Sequence, residues 1–206
     1  ENFPSISPDG KTLFFSCSCP DAFGATDIYM STRTNPTDDL GWSAPVNLGP
    51  VINTADGEVG VSYFENPTNG TGILYFTSNR SGGLGDEDFY QSTRNANGTF
   101  NAPTNVAALN SPFLDRGLNV SRDGLGVFFG SERDGGLGGR DTWVSTRASV
   151  SAPWNPPVNV AAVNSPGSDQ MPALSQDGST LYFSSSRNGS PDIYTATRVS
   201  VNRNAT

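Results

Sequence analysis

Leu13, Phe14 and Phe15 are apolar on successive positions, and the same happens at 73–76 ("ILYF"), 127–129 ("VFF") and 181–183 ("LYF"). A run this short, without a polar side, reads as a strand covered on both faces. Each run is followed by a more alternating stretch: "DIYMSTR" (27–33), "DFYQSTR" (88–94), "DTWVSTR" (141–147) and "DIYTATR" (192–198). Alternation of this kind suits a strand nearer a sheet edge. Asp-Gly stands before three of the apolar runs, at 9–10, 123–124 and 177–178, and marks hairpin turns. No helical period interrupts the series, and the pattern predicts an all-β chain of short strands.

The chain says nearly the same thing four times. Before each apolar run lies "ENFPSISPDG" (1–10), "DRGLNVSRDG" (115–124) or "DQMPALSQDG" (169–178), degenerating in the second copy to "EVGVSYFENPTNG" (58–70). After each alternating stretch comes "WSAPVNLG" (42–49), "FNAPTNVA" (100–107) or "WNPPVNVA" (154–161). Each unit therefore has four segments, a to d. The equivalent Asp27, Asp88, Asp141 and Asp192 recur roughly every 50 to 60 residues, the period of propeller blades. Four antiparallel strands buried on both faces and repeated in tandem predict a β-propeller of four blades, at about 1–49, 50–107, 108–161 and 162–206. The chain opens at Glu1 without methionine, as expected of a processed or trimmed segment. The last copy stops where its segment d would begin. Two arrangements fit: a ring whose last blade has three strands, or a fragment of a larger propeller.

S-x-D-G, an apolar strand, then D-[IF]-Y and R resembles the WD40-like PD40 repeat of TolB-type bacterial propellers. "GWSAPVNLGPVINTADGE" (41–58) resembles the segment between repeats in periplasmic and surface proteins that also carry OmpA-like domains. The resemblance covers essentially the whole chain. It implies a propeller with segment a innermost, outside the cytoplasm, and says little about activity, because propellers host many functions.

Charge and composition then remove whole classes of chemistry. The net charge is −8, with one lysine (Lys11), eleven arginines and no histidine. A nucleic acid or anionic membrane would want the opposite sign. Without histidine there is no serine–histidine triad, histidine general base or histidine-ligated zinc. No apolar run reaches membrane-spanning length. Cys17 and Cys19 read either as incidental thiols or as a C-x-C disulfide of an oxidising compartment. Six N-x-[ST] sequons occur in a chain rich in these residues and carry no weight.

Strand direction sorts the loops: d–a and b–c loops share one face, a–b and c–d loops the other. On the first face each d–a loop reads N-[ST]-x4-[DE], placing Asn53 with Glu58, Asn110 with Asp115 and Asn164 with Asp169, and Glu1 holds the same place in blade one. Four carboxylates ringing a channel mouth would raise one another's pKa and invite a hard cation such as Ca²⁺. The alternative is that each caps its own turn through backbone N–H groups. The b–c loops "GGLGDED" (82–88) and "GGLGGRD" (135–141) lead into strands, so a phosphate loop is not expected, and the register is one residue too long for a calcium β-roll. Asp86, Glu87 and Asp88 are a second candidate calcium cluster.

Hairpin geometry predicts fasteners Arg80–Asp88, Arg133–Asp141 and Arg187–Asp192 at one end, and Asp9–Arg33, Asp123–Arg147 and Asp177–Arg198 at the other. Asp27 is left without an arginine, and Arg94 is expected to turn to Glu65. Trp42, Phe100 and Trp154, and Trp143 with Tyr29, Tyr90 and Tyr194, read as packing residues. The functional expectation is a non-catalytic, extracytoplasmic module that binds protein or polysaccharide through the loop face. A glycoside hydrolase or lyase using carboxylates is one alternative. A structural subunit that self-associates through outer edge strands is the other.

Overall fold

The computed structural model describes residues 2–198. Its fifteen strands, all in antiparallel neighbour pairs, form four sheets. Blade one holds β1 (Asn2–Ile6), β2 (Thr12–Cys17), β3 (Asp27–Thr32) and β4 (Val46–Asn47) in that order. Blade two holds β5 (Glu58–Glu65), β6 (Gly72–Ser78), β7 (Asp88–Thr93) and β8 (Thr104–Asn105). Blade three holds β9 (Asp115–Val120), β10 (Gly126–Ser131), β11 (Asp141–Thr146) and β12 (Val158–Asn159). Among the described residues blade four has three strands, β13 (Asp169–Leu174), β14 (Thr180–Ser185) and β15 (Asp192–Thr197). The architecture is a four-bladed β-propeller, and no helix is found among the described residues.

The register explains the doubly apolar runs. Leu13, Phe15 and Cys17 point to one side of blade one, and Phe14 and Ser16 to the other. In blades two and three each side meets a neighbouring blade, so both must be apolar; in blade one the Phe14 side does so, while Phe15 and Cys17 pack with Tyr29 of their own blade. Phe14 and Ile28 of blade one join Val61, Leu74, Phe76 and Tyr90 of blade two in one core. Tyr75 and Phe89 of blade two join Leu118, Val127, Phe129 and Trp143 of blade three in the next. Phe128 of blade three packs with Leu181, Phe183 and Tyr194 of blade four in the third.

Each inner strand carries a bulge. The bulge places Phe3, Gly60, Gly117 and Met171 at equivalent positions with φ of 52°, 64°, 72° and 54°. Gly60 sits against the Gly117 backbone, so its glycine answers both the left-handed angle and the close approach. The inner strands are tied in sequence. Ser5 Oγ accepts Tyr63 N–H (2.9 Å), Ser62 Oγ accepts Val120 N–H (3.3 Å) and Asn119 Oδ1 accepts Leu174 N–H (3.0 Å). The corresponding residue of blade four is Ala173, which has no acceptor on its side chain.

Packing follows the same order. β1 packs on β5, β5 on β9 and β9 on β13, but among the described residues no comparable packing joins blade four to blade one. Ile193 is 81% exposed and Tyr182 45%, whereas their blade-one equivalents Ile28 and Phe14 are fully buried. Among the described residues the array is therefore open at the seam between its first and fourth blades.

Candidate functional site: the loop face

Asp27, Asp88 and Asp141 open the third strand of their blades and are buried. Each carboxylate turns back into its b–c loop. Asp27 accepts Phe23 N–H (2.7 Å) and Gly24 N–H (3.2 Å), Asp88 accepts Leu84 N–H, and Asp141 accepts Leu137 N–H. Asn47 and Asn159, on the outer strands, bond Asp27 and Asp141 from the side at 2.8 and 2.9 Å. The glycine-rich stretch is a loop folded around its own aspartate, as turn chemistry favours.

The next glycine locks that loop to the neighbouring blade. A Cβ on Gly24 would lie 1.7 Å from Asp56 O, on Gly85 2.2 Å from Phe113 O, and on Gly138 2.2 Å from Gly167 O. Each contact is a b–c loop seated on the d–a loop of the following blade. Blade four has a b–c loop three residues shorter than blades two and three, and its Gly189 takes the left-handed place of Gly82 and Gly135 (φ 101°, against 92° and 91°).

Between the aspartate and this glycine, one side chain per blade is held outward. Phe23, Leu84 and Leu137 occupy the same position in three successive blades and are 52%, 58% and 55% exposed. Their backbones are fixed on both sides, so these apolar groups cannot fold inward. Phe113, also exposed, lies on the d–a loop that meets Gly85. The signal is present in the sequence as an apolar residue four before three of the four strand-opening aspartates, but it reads as loop filler until the loop's neighbours are known.

The carboxylates of the d–a loops have a different fate. Glu58, Asp115 and Asp169 are fully buried. Arg80 reaches Glu58 at 3.0 Å, Arg133 reaches Asp115 at 2.7 Å and Arg187 reaches Asp169 at 2.8 Å. The expected pairs of these arginines with Asp88, Asp141 and Asp192 are thus corrected. Asp88 and Asp141 are already served by loop N–H groups and Asp192 is exposed, so the buried d–a carboxylates have the greater need of a countercharge. Each arginine also donates to the serine two residues before it, and to the carbonyl of Ile52, Leu109 or Val163. It lies over a pair of rings: Phe76 and Tyr90, Phe129 and Trp143, or Phe183 and Tyr194. The carboxylates also accept the turn: Thr54 N–H and Oγ1–H for Glu58, Ser111 N–H and Oγ–H for Asp115, Ser165 N–H and Oγ–H for Asp169. Burial pushes Asp115 above the ordinary carboxylate range despite Ser131 and Arg133. For Asp169 burial acts in the same direction, but bonds from Ser185, Ser165 and Arg187 outweigh it and hold it low.

This geometry is that of turn fasteners, and an arginine already stands where a ring-bound cation was expected. Glu1, the fourth expected member, lies outside the described residues, as does the Asn204 sequon. Glu87, of the alternative cluster, pairs with Arg116 of the next blade. Among the described residues no three carboxylates or thiols gather to share a metal ion. Asn53, Asn110 and Asn164 act as short strand substitutes. Asn53 accepts Ile28 N–H at 2.9 Å and donates to Ile28 O at 3.0 Å, and the others do the same to Phe89 and Thr142.

Blade one departs at one point. Cys17 and Cys19 stand where the other blades have serine and arginine, and they are joined by a disulfide. The cystine packs with Phe15 and Tyr29, the ring pair that an arginine covers elsewhere. On the opposite face, Asp9, Asp123 and Asp177 bond the serine two residues earlier and the N–H two residues later. Arg33 and Arg147 reach the turn carbonyls of Gly10 and Gly124 instead of the aspartates, and Arg33 also pairs with Asp39 at 3.1 Å. Arg94 bonds Gly98 O at 3.5 Å rather than Glu65. The turn aspartates are satisfied within three residues, which leaves the arginines to fasten the carbonyls.

No family model matches the chain, and no curated protein matches it. Solved structures do. TolB from Acinetobacter baumannii aligns over 95% of this chain and 40% of its own, at 16% identity and a TM-score of 0.57. The chain thus spans well under half of that protein. An alpha-L-arabinofuranosidase from Lactobacillus brevis aligns over 94% of this chain and 71% of its own (13% identity, TM-score 0.66). An endo-arabinase from Bacteroides thetaiotaomicron aligns over 97% and 76% (14% identity, TM-score 0.62). At these identities the likeness is one of fold: the described residues are arranged as in the propellers of these proteins.

Proposed function

We propose that the chain is a non-catalytic, extracytoplasmic interaction module of the PD40, TolB-like type, which binds a protein or polysaccharide through its b–c loop face. The carrying observation is the row of Phe23, Leu84 and Leu137, exposed at one position in three successive blades on backbone held by Asp27, Asp88 and Asp141. Rigid, repeated apolar groups on a polar surface suit a contact site, where little ordering entropy remains to be lost on binding. The Cys17–Cys19 disulfide supports an oxidising compartment.

The glycoside hydrolase reading keeps one support, the arabinofuranosidase and the endo-arabinase among the neighbours in fold. Against it, Glu58, Asp115 and Asp169 are shut away and arginine-paired in the same manner in three blades, while catalysis asks for a pair in unlike roles. The test uses immobilised peptidoglycan, a panel of plant and bacterial polysaccharides, and a periplasmic extract. Wild type should retain one of these, and the triple variant Phe23→Ser/Leu84→Ser/Leu137→Ser should lose it at unchanged melting temperature. Retention by the triple variant would refute the assignment of the face. Release of reducing sugar from arabinan by the wild type would favour the enzyme.

A further inference from the structure

Blade two differs from blades one and three on the side opposite the loop face. In those blades the arginine closing the third strand donates from Nε to a turn glycine, Arg33 to Gly10 O at 2.7 Å and Arg147 to Gly124 O at 2.6 Å. Each also lies over a tryptophan, Trp42 or Trp154. The first hairpin of blade two runs further before it turns, with Glu65 paired to Gly72 and Asn66 N–H reaching Thr71 O at 2.9 Å. Thr71 O therefore holds the place of Gly10 O and Gly124 O, one residue before the carbonyl that accepts the arginine's own N–H, but the longer ladder has already taken it. Phe100, in the place of the tryptophans, is turned to Phe14, with 6.0 Å between ring centroids. Arg94 is left with one bond, from Nε to Gly98 O at 3.5 Å.

The lengthened hairpin and the loop 95–99 enclose a cavity of about 500 Å³ beside Arg94. Small-molecule sites span about 300–1,000 Å³. Tyr63 and Glu65 line it from β5, with Asn69 on the turn and Asn95 on the loop. Ile6, Val120 and Leu174 hold the place of Tyr63 in the other blades, so only blade two puts a hydroxyl there. Gly72 leaves room for it: a Cβ there would lie 2.0 Å from Tyr63 Oη. Among the described residues the Tyr63 hydroxyl, the Glu65 carboxylate and the two outer Arg94 nitrogens have no hydrogen-bond partner, and no ion pair joins Glu65 to Arg94. Asn69 uses Oδ1 on Thr71 N–H and Asn95 uses Nδ2 on Thr99 Oγ1, which leaves Asn69 Nδ2 and Asn95 Oδ1 free. Both charged groups are half-buried.

We infer that this cavity of blade two is a binding site for a neutral sugar, of one or two units. A guanidinium only donates hydrogen bonds and an ionised carboxylate only accepts them. Sugar hydroxyls do both, so neighbouring hydroxyls accept from Arg94 and donate to Glu65 while bringing no charge of their own. The two protein charges already sum to zero. An inorganic anion would match Arg94 and be repelled by Glu65. A zwitterionic amino acid would match both charges and leave the phenol and the two amides idle. Tyr63 O–H, Asn69 Nδ2 and Asn95 Oδ1 supply the neutral donors and acceptor that select among sugar epimers, since a hydroxyl on the wrong side leaves a polar group unpaired. The cavity lies on the face opposite Phe23, Leu84 and Leu137 and shares no residue with them, so it stands or falls apart from the function proposed above.

The experiment titrates the whole chain with glucose, galactose, arabinose, N-acetylglucosamine, cellobiose and lactose, and separately with glycine and inorganic phosphate, and follows backbone amide and arginine Nε signals by NMR. At least one sugar should bind with a dissociation constant of about 10 mM or tighter, shifting Gly72, Arg94 and Asn95 and leaving Leu84 and Leu137 in place. The affinity should change less than about twofold between low and high salt, because no net charge is exchanged. Glu65→Ala should weaken binding at least about tenfold by removing charge-assisted bonds. Tyr63→Phe should weaken it about two- to tenfold by removing one bond, and Arg94→Gln should abolish it. Should Arg94→Gln not fold, the other two variants, checked by melting temperature, still decide. The absence of a shift at these amides with every sugar overturns the proposal, as does sugar binding indifferent to Glu65→Ala and Tyr63→Phe. Phosphate or glycine shifting Arg94 where all sugars fail would assign an ion site and overturn it as well. Sugar binding kept by Glu65→Ala and lost by Phe23→Ser/Leu84→Ser/Leu137→Ser would move the sugar to the loop face, against this inference and in favour of the function above.

Discussion

Arg133 shows how one residue joins three kinds of stabilisation. Its guanidinium reaches Asp115, Ser131 Oγ and Leu109 O, and it lies over Phe129 and Trp143. Asp115 has no access to water, and burial already raises its pKa. Removing the arginine strands a buried charge, so Arg133→Ala should cost about 3–5 kcal/mol at neutral pH in chemical denaturation. The sign of the pH effect follows. A folded-state pKa raised above the unfolded value favours protonation on folding, so stability from this group falls as pH rises from the unfolded value through the folded one. Without Arg133 that pKa rises further. The deficit of Arg133→Ala should therefore shrink as pH is lowered toward Asp115's raised value, and a deficit independent of pH would contradict the pairing. Asp177 has the opposite sign. Bonds from Ser175 and Ser179 lower it to about 2. Its contribution is present above the ordinary carboxylate value and is lost as pH falls through about 2.

At the scale of elements, the glycine loops and the strand bulges do the joining. Gly85 is closed in by Phe113 O at 2.2 Å and Ser111 O at 2.7 Å from where a Cβ would sit. Both atoms belong to backbone, so neither can swing away. Gly85→Ala should destabilise by about 1–3 kcal/mol. Gly139→Ala, whose Cβ would meet nothing nearer than 3.8 Å, should be nearly neutral. Comparing their denaturation midpoints tests whether the loop-to-loop seat carries the blade junction. Much of this level was legible in advance. The strands, the hairpin turns and the packing roles of Phe100, Trp143 and Trp154 follow from periodicity within a single blade. The arginine partners were misassigned because hairpin neighbours were counted and the d–a loop, brought alongside by the strand-one hairpin, was not. The serine two residues before each arginine was visible, but only the fold shows that it orients the side chain.

At the scale of the molecule, the blades form a row in which each contacts its neighbours, so stability is shared along the row as in other repeat proteins. The end without a neighbour should open first. Amides of β15 are expected to exchange fastest among the third strands, and those of β6 and β10, buried between blades, slowest. Uniform protection across the four blades would mean that the open face is covered in solution.

The amino-acid sequence alone settles the class of fold, the four-fold repeat, the strand order within each blade and the exclusion of histidine chemistry. Those properties depend on local periodicity and turn chemistry, which one blade expresses by itself. Only the tertiary structure decides that the acidic d–a loops are buried and arginine-paired, that Phe23, Leu84 and Leu137 stand out together, and that blade four keeps an open side. The arginine pairs join residues 18 to 22 apart across the hairpin of one blade, and the loop seats join residues about 30 apart in neighbouring blades, contacts that no local pattern encodes.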